Sequence, residues 1–262
     1  MNRYLTTLGR FWSASIGAEM EYRLNFLSST LSSVMTLTGS LFTLWLLFRG
    51  DYQPGGFSWH EAVLVVGMFT ILEGLQSALM NPNRMLISEA VREGTLDHVL
   101  LKPIDSQFWL SVRRFSPWGL PNVALGLGLV AYSILGGHVT ATALGVVTAA
   151  AMLASGVLLL YCLGYALATL SIWFVKLYNV TMAMQALLEA GRYPVSAYPA
   201  AYRVFFTFVL PVAFMTTVPA RAVTGDAGAD WLLGSAVVTG GAWLFTRWWW
   251  RFALRSYTSA SS

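Results

Sequence analysis

Long apolar runs alternate with short polar breaks along most of this chain. The runs fall at residues 24–48, 59–80, 118–135, 140–174 and 231–252. A bilayer-spanning helix needs about 20 mostly apolar residues, so each run predicts a crossing. The fourth is long enough to tilt or to extend past the bilayer. Ahead of them, Tyr4, Leu5, Leu8, Phe11, Trp12, Ile16 and Met20 recur at near-helical spacing among polar positions. That pattern predicts an amphipathic helix over 4–21, lying on the membrane face. The pattern is least regular over 175–223, where Pro194, Pro199, Pro211 and Pro219 interrupt any helix.

Composition agrees with a lipid solvent. Of 262 residues, 56% are hydrophobic and 11% charged, against about 25% charged in soluble domains. The mean hydropathy is +0.60. Six helices and their loops use up this length, which leaves no room for an ATPase or another large catalytic domain. Residues 1–23 carry Arg3, Arg10, Glu19, Glu21 and Arg23 and no long apolar centre, unlike a cleaved signal peptide. The single cysteine, Cys162, sits in an apolar run and reads as a small buried hydrophobe.

Charge supplies an orientation. The N-terminal segment holds three Arg or Lys, residues 81–117 hold five, Lys176 adds one and the C-terminal segment three, making twelve of sixteen. Positively charged segments stay in the cytoplasm, which places both termini and 81–117 there. Two cytoplasmic termini require an even number of crossings. The expectation is an all-α polytopic membrane protein of six transmembrane helices, with an N-terminal amphipathic helix and a re-entrant or broken segment near the fifth span. Residues 1–262 form one transmembrane domain: interfacial helix 1–23, spans one and two over 24–80, cytoplasmic stretch 81–117, spans three and four over 118–174, a fifth region over 175–225, and the last span at 231–252. In the fifth region, a span at about 178–193 followed by a broken outer segment is preferred. The alternative is an interfacial helix followed by a span at about 202–220. Irregular backbone at membrane depth needs cover from protein or a water-filled cavity, so these prolines point to a translocation path.

Within 81–117, the run from Ser88 to Asp105 predicts a helix ending near Gly94, a Thr or Asp cap, and a short second helix stopped before Pro103. The short helix would show Leu96, Val99 and Leu100 on one face. A small apolar knob rimmed by charge suits docking into a groove on another protein.

Two blocks carry a family resemblance. Glu93-Gly94-Thr95-Leu96-Asp97, then Leu100-Leu101-Lys102-Pro103-Ile104-Asp105, resembles the loop after the second helix in type-2 ATP-binding-cassette exporter permeases. The nearest likeness is to a bacterial subgroup formerly treated as a family of unknown function. Tyr193-Pro194-Val195-Ser196-Ala197-Tyr198-Pro199, then Val209-Leu210-Pro211-Val212-Ala213-Phe214 and Pro219-Ala220, resembles it too. The resemblance implies a six-helix permease that pairs with a second permease chain, the same or different, above two cytoplasmic ATPases. It also implies a location in the bacterial inner membrane. ATP and Mg would belong to the ATPases, and this chain would bind no cofactor. Glu93, Gly94, Thr95, Leu96, Asp97, Val99, Leu100, Lys102 and Pro103 would couple ATPase motion to the membrane. The sequence contains no GxxxxGK[ST] run, in keeping with an ATPase on a separate chain.

Glu73 lies inside the second run, and an acid at membrane depth is a functional candidate by default. The plain alternative is a structural bond between helices. Glu189 and Arg192, three apart, read first as a local pair and second as a gate. Together with Tyr193, Pro194 and Pro211 they are the path candidates. His60, His98 and His138 fall in three separate loops and suggest no metal site. Arg247, Arg251 and Arg255 form a stripe leaving the membrane, read as a topology signal with lipid headgroup contact. The competing functions are an ion-coupled secondary transporter and a membrane-embedded lipid-modifying enzyme. The first needs internal repeats and several intramembrane acids; the second needs clustered His, Asp or Glu at depth. Neither is seen in the sequence.

Overall fold

The computed structural model describes residues 2–19, 23–49, 54–137, 139–174, 185–186, 189–209 and 212–258. Helix α1 is Asn2–Glu19 and α2 is Arg23–Leu47. Helix α3, Trp59–Leu75, runs through a π turn at Gln76–Met80 into α4, Asn81–Arg92. Two short helices follow, α5 at Leu96–Leu100 and α6 at Ser106–Val112. Then come α7, Leu120–Leu135, and α8, Ala143–Thr169. After a broken region, α9 is Ala200–Val204, α10 is Thr217–Thr224 and α11 is Ala229–Leu254. The described residues contain no strand.

Among the described residues, four helical stretches are long and apolar enough to cross a membrane: Leu24–Leu47, Trp59–Arg92, Pro117–Leu135 and Ala143–Ile172. Their burial differs sharply. Trp59–Arg92 is 78% buried over its most apolar window, while the other three are 17–33% buried. α3 is therefore the axis of the bundle, and its neighbours turn apolar faces outward, as a lipid solvent requires. Several hydroxyls of α2 bond within their own helix: Ser33, Thr38, Ser40 and Thr43 each donate to the carbonyl four residues back, while Ser29 donates across to the Trp118 carbonyl. α3 begins in a capping box, with Ser58 and Glu61 exchanging side-chain and backbone bonds.

α3 meets α7 and the 3-10 turn Pro117–Gly119 that leads into it at two reciprocal glycine pairs. A Cβ on Gly126 would lie 2.7 Å from the Gly67 carbonyl oxygen, and one on Gly74 would lie 2.7 Å from that of Gly119. Small residues let helix backbones approach closely in lipid, where dispersion rather than the hydrophobic effect holds helices together.

One boundary shifts. The polar stretch after residue 80 begins as helix, which continues through Asn81-Pro82 to Arg92. Pro82 has no N–H to give to the turn before it. The π turn accommodates this, with Asn81 N–H donating to the Gln76 carbonyl five residues back. The preferred fifth span at 178–193 lies largely outside the described residues. The alternative span at 202–220 is broken in the described part: α9, a π turn at Phe205–Val209, a 3-10 turn at Val212–Phe214, then α10.

Candidate functional site

Two constellations gather the sequence candidates, one at the end of the molecule carrying α5 and one deep among α2, α3 and the broken region.

At the first, Gly94 adopts φ +69°, a conformation suited to glycine, and ends α4. Thr95 sits at the start of α5 without a side-chain cap bond. Leu96 is fully buried and Val99 nearly so. They join Leu86, Ile87, Ala90, Leu110, Tyr165, Ala168 and Trp250 in a hydrophobic cluster separate from the main core. The expected outward knob of Leu96, Val99 and Leu100 is thus corrected. Two of its three members anchor the helix inward, because α4 and α6 flank it and offer apolar surface to bury. The outward residues are Leu100, 39% exposed, and Leu101, 82% exposed, followed by exposed Lys102 and Pro103. Glu93 is an exposed partner of Arg92 at 3.6 Å.

The loop is also tied to α11. Asp105 caps α6, accepting from Phe108 N–H at 2.8 Å. Its carboxylate also accepts from Arg247 Nη1 at 2.9 and 3.0 Å. Arg247 donates further to Gln107 Oε1 at 3.2 Å, and Trp250 Nε1 donates to Ser106 Oγ at 3.1 Å. Tyr257 packs on the same cluster. Burial first, and then the Asp97 carboxylate beside it, push its phenol above the ordinary value. Arg247, read from sequence as a topology mark, is a structural partner of the loop. Asp105 stood in the motif, but nothing in the pattern marked Arg247 as its counter-ion.

At the second constellation, the Arg192 side chain is 8% exposed. Its Nε and Nη2 both lie 2.8 Å from Glu189 Oε2. Nη2 also lies 3.4 Å from Glu73 Oε2, and Nη1 donates to Ser40 Oγ at 3.1 Å. The guanidinium stands 4.5 Å from the Phe69 ring centroid. One cation therefore joins α2, α3 and the 3-10 turn Ala190–Arg192, and two carboxylates share it. A cavity of about 50 Å³ adjoins them, lined by Gln76, Ser77, Asn81, Gln185 and Thr216 besides the two acids. Phe69, Leu72, Leu160, Val212 and Met215 complete its walls, and its polar groups suit a water. The chain beyond is pinned in turn: Thr216 donates to the Gly191 carbonyl, Val195 N–H to Thr217 Oγ1, and Tyr198 to the Ala190 carbonyl. Pro194 is buried and Tyr193 half-buried within this strap. Pro211 lies outside the described residues. Glu73, Glu189 and Arg192 are brought together as one group; Ser40, Phe69 and Thr216 were not singled out from sequence.

His60 stands 6.1 Å from the Tyr132 ring, and His138 is outside the described residues. Among the described residues no three potential metal ligands cluster.

The sequence model of the ABC-2 family transporter protein matches residues 34–261. The chain belongs to the ABC-2 transporter family. The match runs from within α2 to the C-terminal tail, so both constellations fall inside it. No curated protein and no solved structure matches the chain. ABC-2 membership and the apolar helices make this a membrane-embedded transport protein of permease type. They also imply association with ATP-binding-cassette ATPases.

Proposed function

We propose that this chain is the membrane-spanning subunit of an ATP-driven exporter, moving an amphipathic or hydrophobic substrate such as a drug, lipid, peptide or natural product out of a bacterial cytoplasm. The spans carry few charges, which suits a substrate with large apolar surface. In this reading α11, about 39 Å long at 1.5 Å per residue over its 26 residues, is the last of six crossings. Both termini and α5 then lie on the cytoplasmic side of the inner membrane. Two ATPases dock below a pair of permease chains, identical or different, and bind ATP and Mg.

The observation that carries the reading is the construction of α5. Leu96 and Val99 fix it to the bundle, while Leu100, Leu101, Lys102 and Pro103 face outward. A short helix rooted in the core and presenting two exposed leucines receives a push and passes it on. The route inward runs along α4 into α3, which carries Glu73, and through the Asp105–Arg247 bond into α11. Closure of the ATPases on ATP shifts α5. The bundle then changes the cavity beside Glu73, Glu189 and Arg192, with Tyr193 and Pro194 in the adjoining strap; Pro211, the remaining path candidate, lies outside the described residues.

Affinity co-purification from the native membrane tests this, with an ATP-binding-cassette ATPase as the readout. The wild-type chain retains the ATPase; deletion of 94–103 loses it; Leu101→Glu, which places a charge on the exposed face, weakens it at least tenfold. An ATPase complex that survives both changes overturns the assignment of α5.

A further inference from the structure

A cavity of about 370 Å³ opens between α4, α5 and α6, beside the elements just assigned. Trp109 forms one wall. Lys102 Nζ stands 4.8 Å and Arg113 Cζ 5.8 Å from its ring centroid. Neither cation has a carboxylate within salt-bridge distance among the described residues. The acids at this cavity are already engaged: Glu89 pairs with Arg114 at 3.5 Å and Glu93 with Arg92 at 3.6 Å. Two unneutralised cations are thus held over an aromatic face, at the rim of a space larger than one phosphate group.

The depth of this cavity is fixed by α1. Phe11 meets Trp109 edge to face at 4.7 Å, and Trp12 stacks on Phe115 at 5.0 Å. An amphipathic helix of this kind lies at the boundary between headgroups and acyl chains, and tryptophan favours the same layer. The Trp109 wall therefore stands at headgroup level on the α5 side of the membrane. That side carries the anionic lipids if it is cytoplasmic, and lysine and arginine at such a surface attract them.

We propose that this cavity binds the phosphate of an anionic phospholipid from the cytoplasmic leaflet, held by Lys102 and Arg113 across Trp109. The proposal rests on the cytoplasmic placement of α5 in the exporter reading. A guanidinium offers paired donors to phosphate oxygens, and an ammonium offers a point charge. The lipid would brace α5 against α1 and α6 from the membrane side, leaving Leu100 and Leu101 free for the ATPase.

Native mass spectrometry of the full chain tests this, with titration by phosphatidylglycerol and phosphatidylcholine of matched acyl chains. The expected result is preferential retention of phosphatidylglycerol. Each removed cation should cost about fivefold in retention, so Lys102→Gln with Arg113→Gln should cost about 25-fold. Lys102→Arg with Arg113→Lys should keep the preference, which separates lost charge from misfolding. Arg49→Gln, beside Trp45 at the opposite end of α2 from α1, should keep it too. Equal retention of the two lipids, or undiminished retention in the double Gln variant, overturns the proposal. Inorganic phosphate that displaces phosphatidylglycerol at millimolar concentration overturns the lipid assignment in favour of a free anion. Because Lys102 also borders the outward face of α5, ATPase co-purification is read on Arg113→Gln alone, where it is a separate readout. Lost lipid preference with an intact complex leaves the ATPase assignment standing, and the reverse leaves the lipid site standing.

Discussion

The Arg192 group and the Asp105–Arg247 group both join segments far apart in the chain through one arginine, yet they are built on opposite terms. Arg192 is itself almost wholly buried and shares its charge between two carboxylates, Glu73 and Glu189, that are 27% and 43% exposed. Arg247 and Asp105 are 30% and 37% exposed and pair one to one, with Gln107 as a neutral second acceptor. Charges in a low-dielectric site interact strongly and are costly to leave unpaired; those near water are screened and contribute little. The first group can therefore hold three segments in one arrangement, and removing its cation leaves two acids facing each other. The second can let go and re-form at small cost, which suits an element that transmits motion.

The sharpest way to break that contrast is Arg192→Met. Losing one partner of a fully buried pair costs about 3–5 kcal/mol; the part-exposed acids reduce that here, but the buried guanidinium still makes the thermal unfolding temperature in detergent drop further than for Leu101→Ala or Asp105→Asn. Adding Glu73→Gln and Glu189→Gln removes the stranded charges and should recover most of the loss. Transport then decides the role. A triple variant that folds and still transports reduces the group to a structural tie; one that folds and fails places the charges in the path. An unchanged melting temperature for Arg192→Met alone contradicts the burial argument.

Next in size is Leu96→Ala. Truncating a buried leucine costs about 2–5 kcal/mol, depending on how far the site collapses. Leu96 lies in the small cluster under α5, so its loss should loosen α5 and α6 ahead of the main core. Hydrogen exchange should rise first over 86–112. Leu101→Ala, at an exposed position, should leave unfolding within about 0.5 kcal/mol of wild type. Comparable destabilisation by the two would contradict the burial of Leu96 and the exposure of Leu101 and undo the corrected orientation of α5.

The helices themselves were legible because their signal is local. Ranges read from apolar runs agree closely with α2, α7 and α8, and the aromatic spacing of the first twenty residues foretold α1. The Glu189–Arg192 pair was legible for the same reason, being three residues apart on one turn. What failed was non-local or depended on a backbone irregularity. The helix expected to end near Gly94 is α4, but its unbroken join to the second span through Asn81-Pro82 depends on the π turn before it. The short α5 can turn either face inward, and the choice lies with α4 and α6. Glu73 and Arg192 are 119 positions apart, and no periodicity relates them. The glycines of α3 and α7 were visible singly, but their pairing needs the register of two helices.

The smallest expected effect is also the one that best separates the two ion-pair designs. Asp105→Asn keeps the side-chain oxygen that caps α6, since Asn caps about as well as Asp. It removes only the charge facing Arg247. For a pair this exposed the expected loss is about 0.2–1 kcal/mol. That loss should shrink with salt, because the screening length falls from about 8 Å at physiological ionic strength to about 3 Å at 1 M. The melting difference between wild type and Asp105→Asn should therefore narrow in about 1 M NaCl, whereas the Arg192→Met difference should persist. If the α11 link transmits the stroke, substrate-stimulated ATPase activity of the Asp105→Asn complex falls by more than its stability does. A salt-insensitive difference as large as that of Arg192→Met would mean that Asp105 and Arg247 are buried by a neighbour in the assembly, and that the two groups share one design after all.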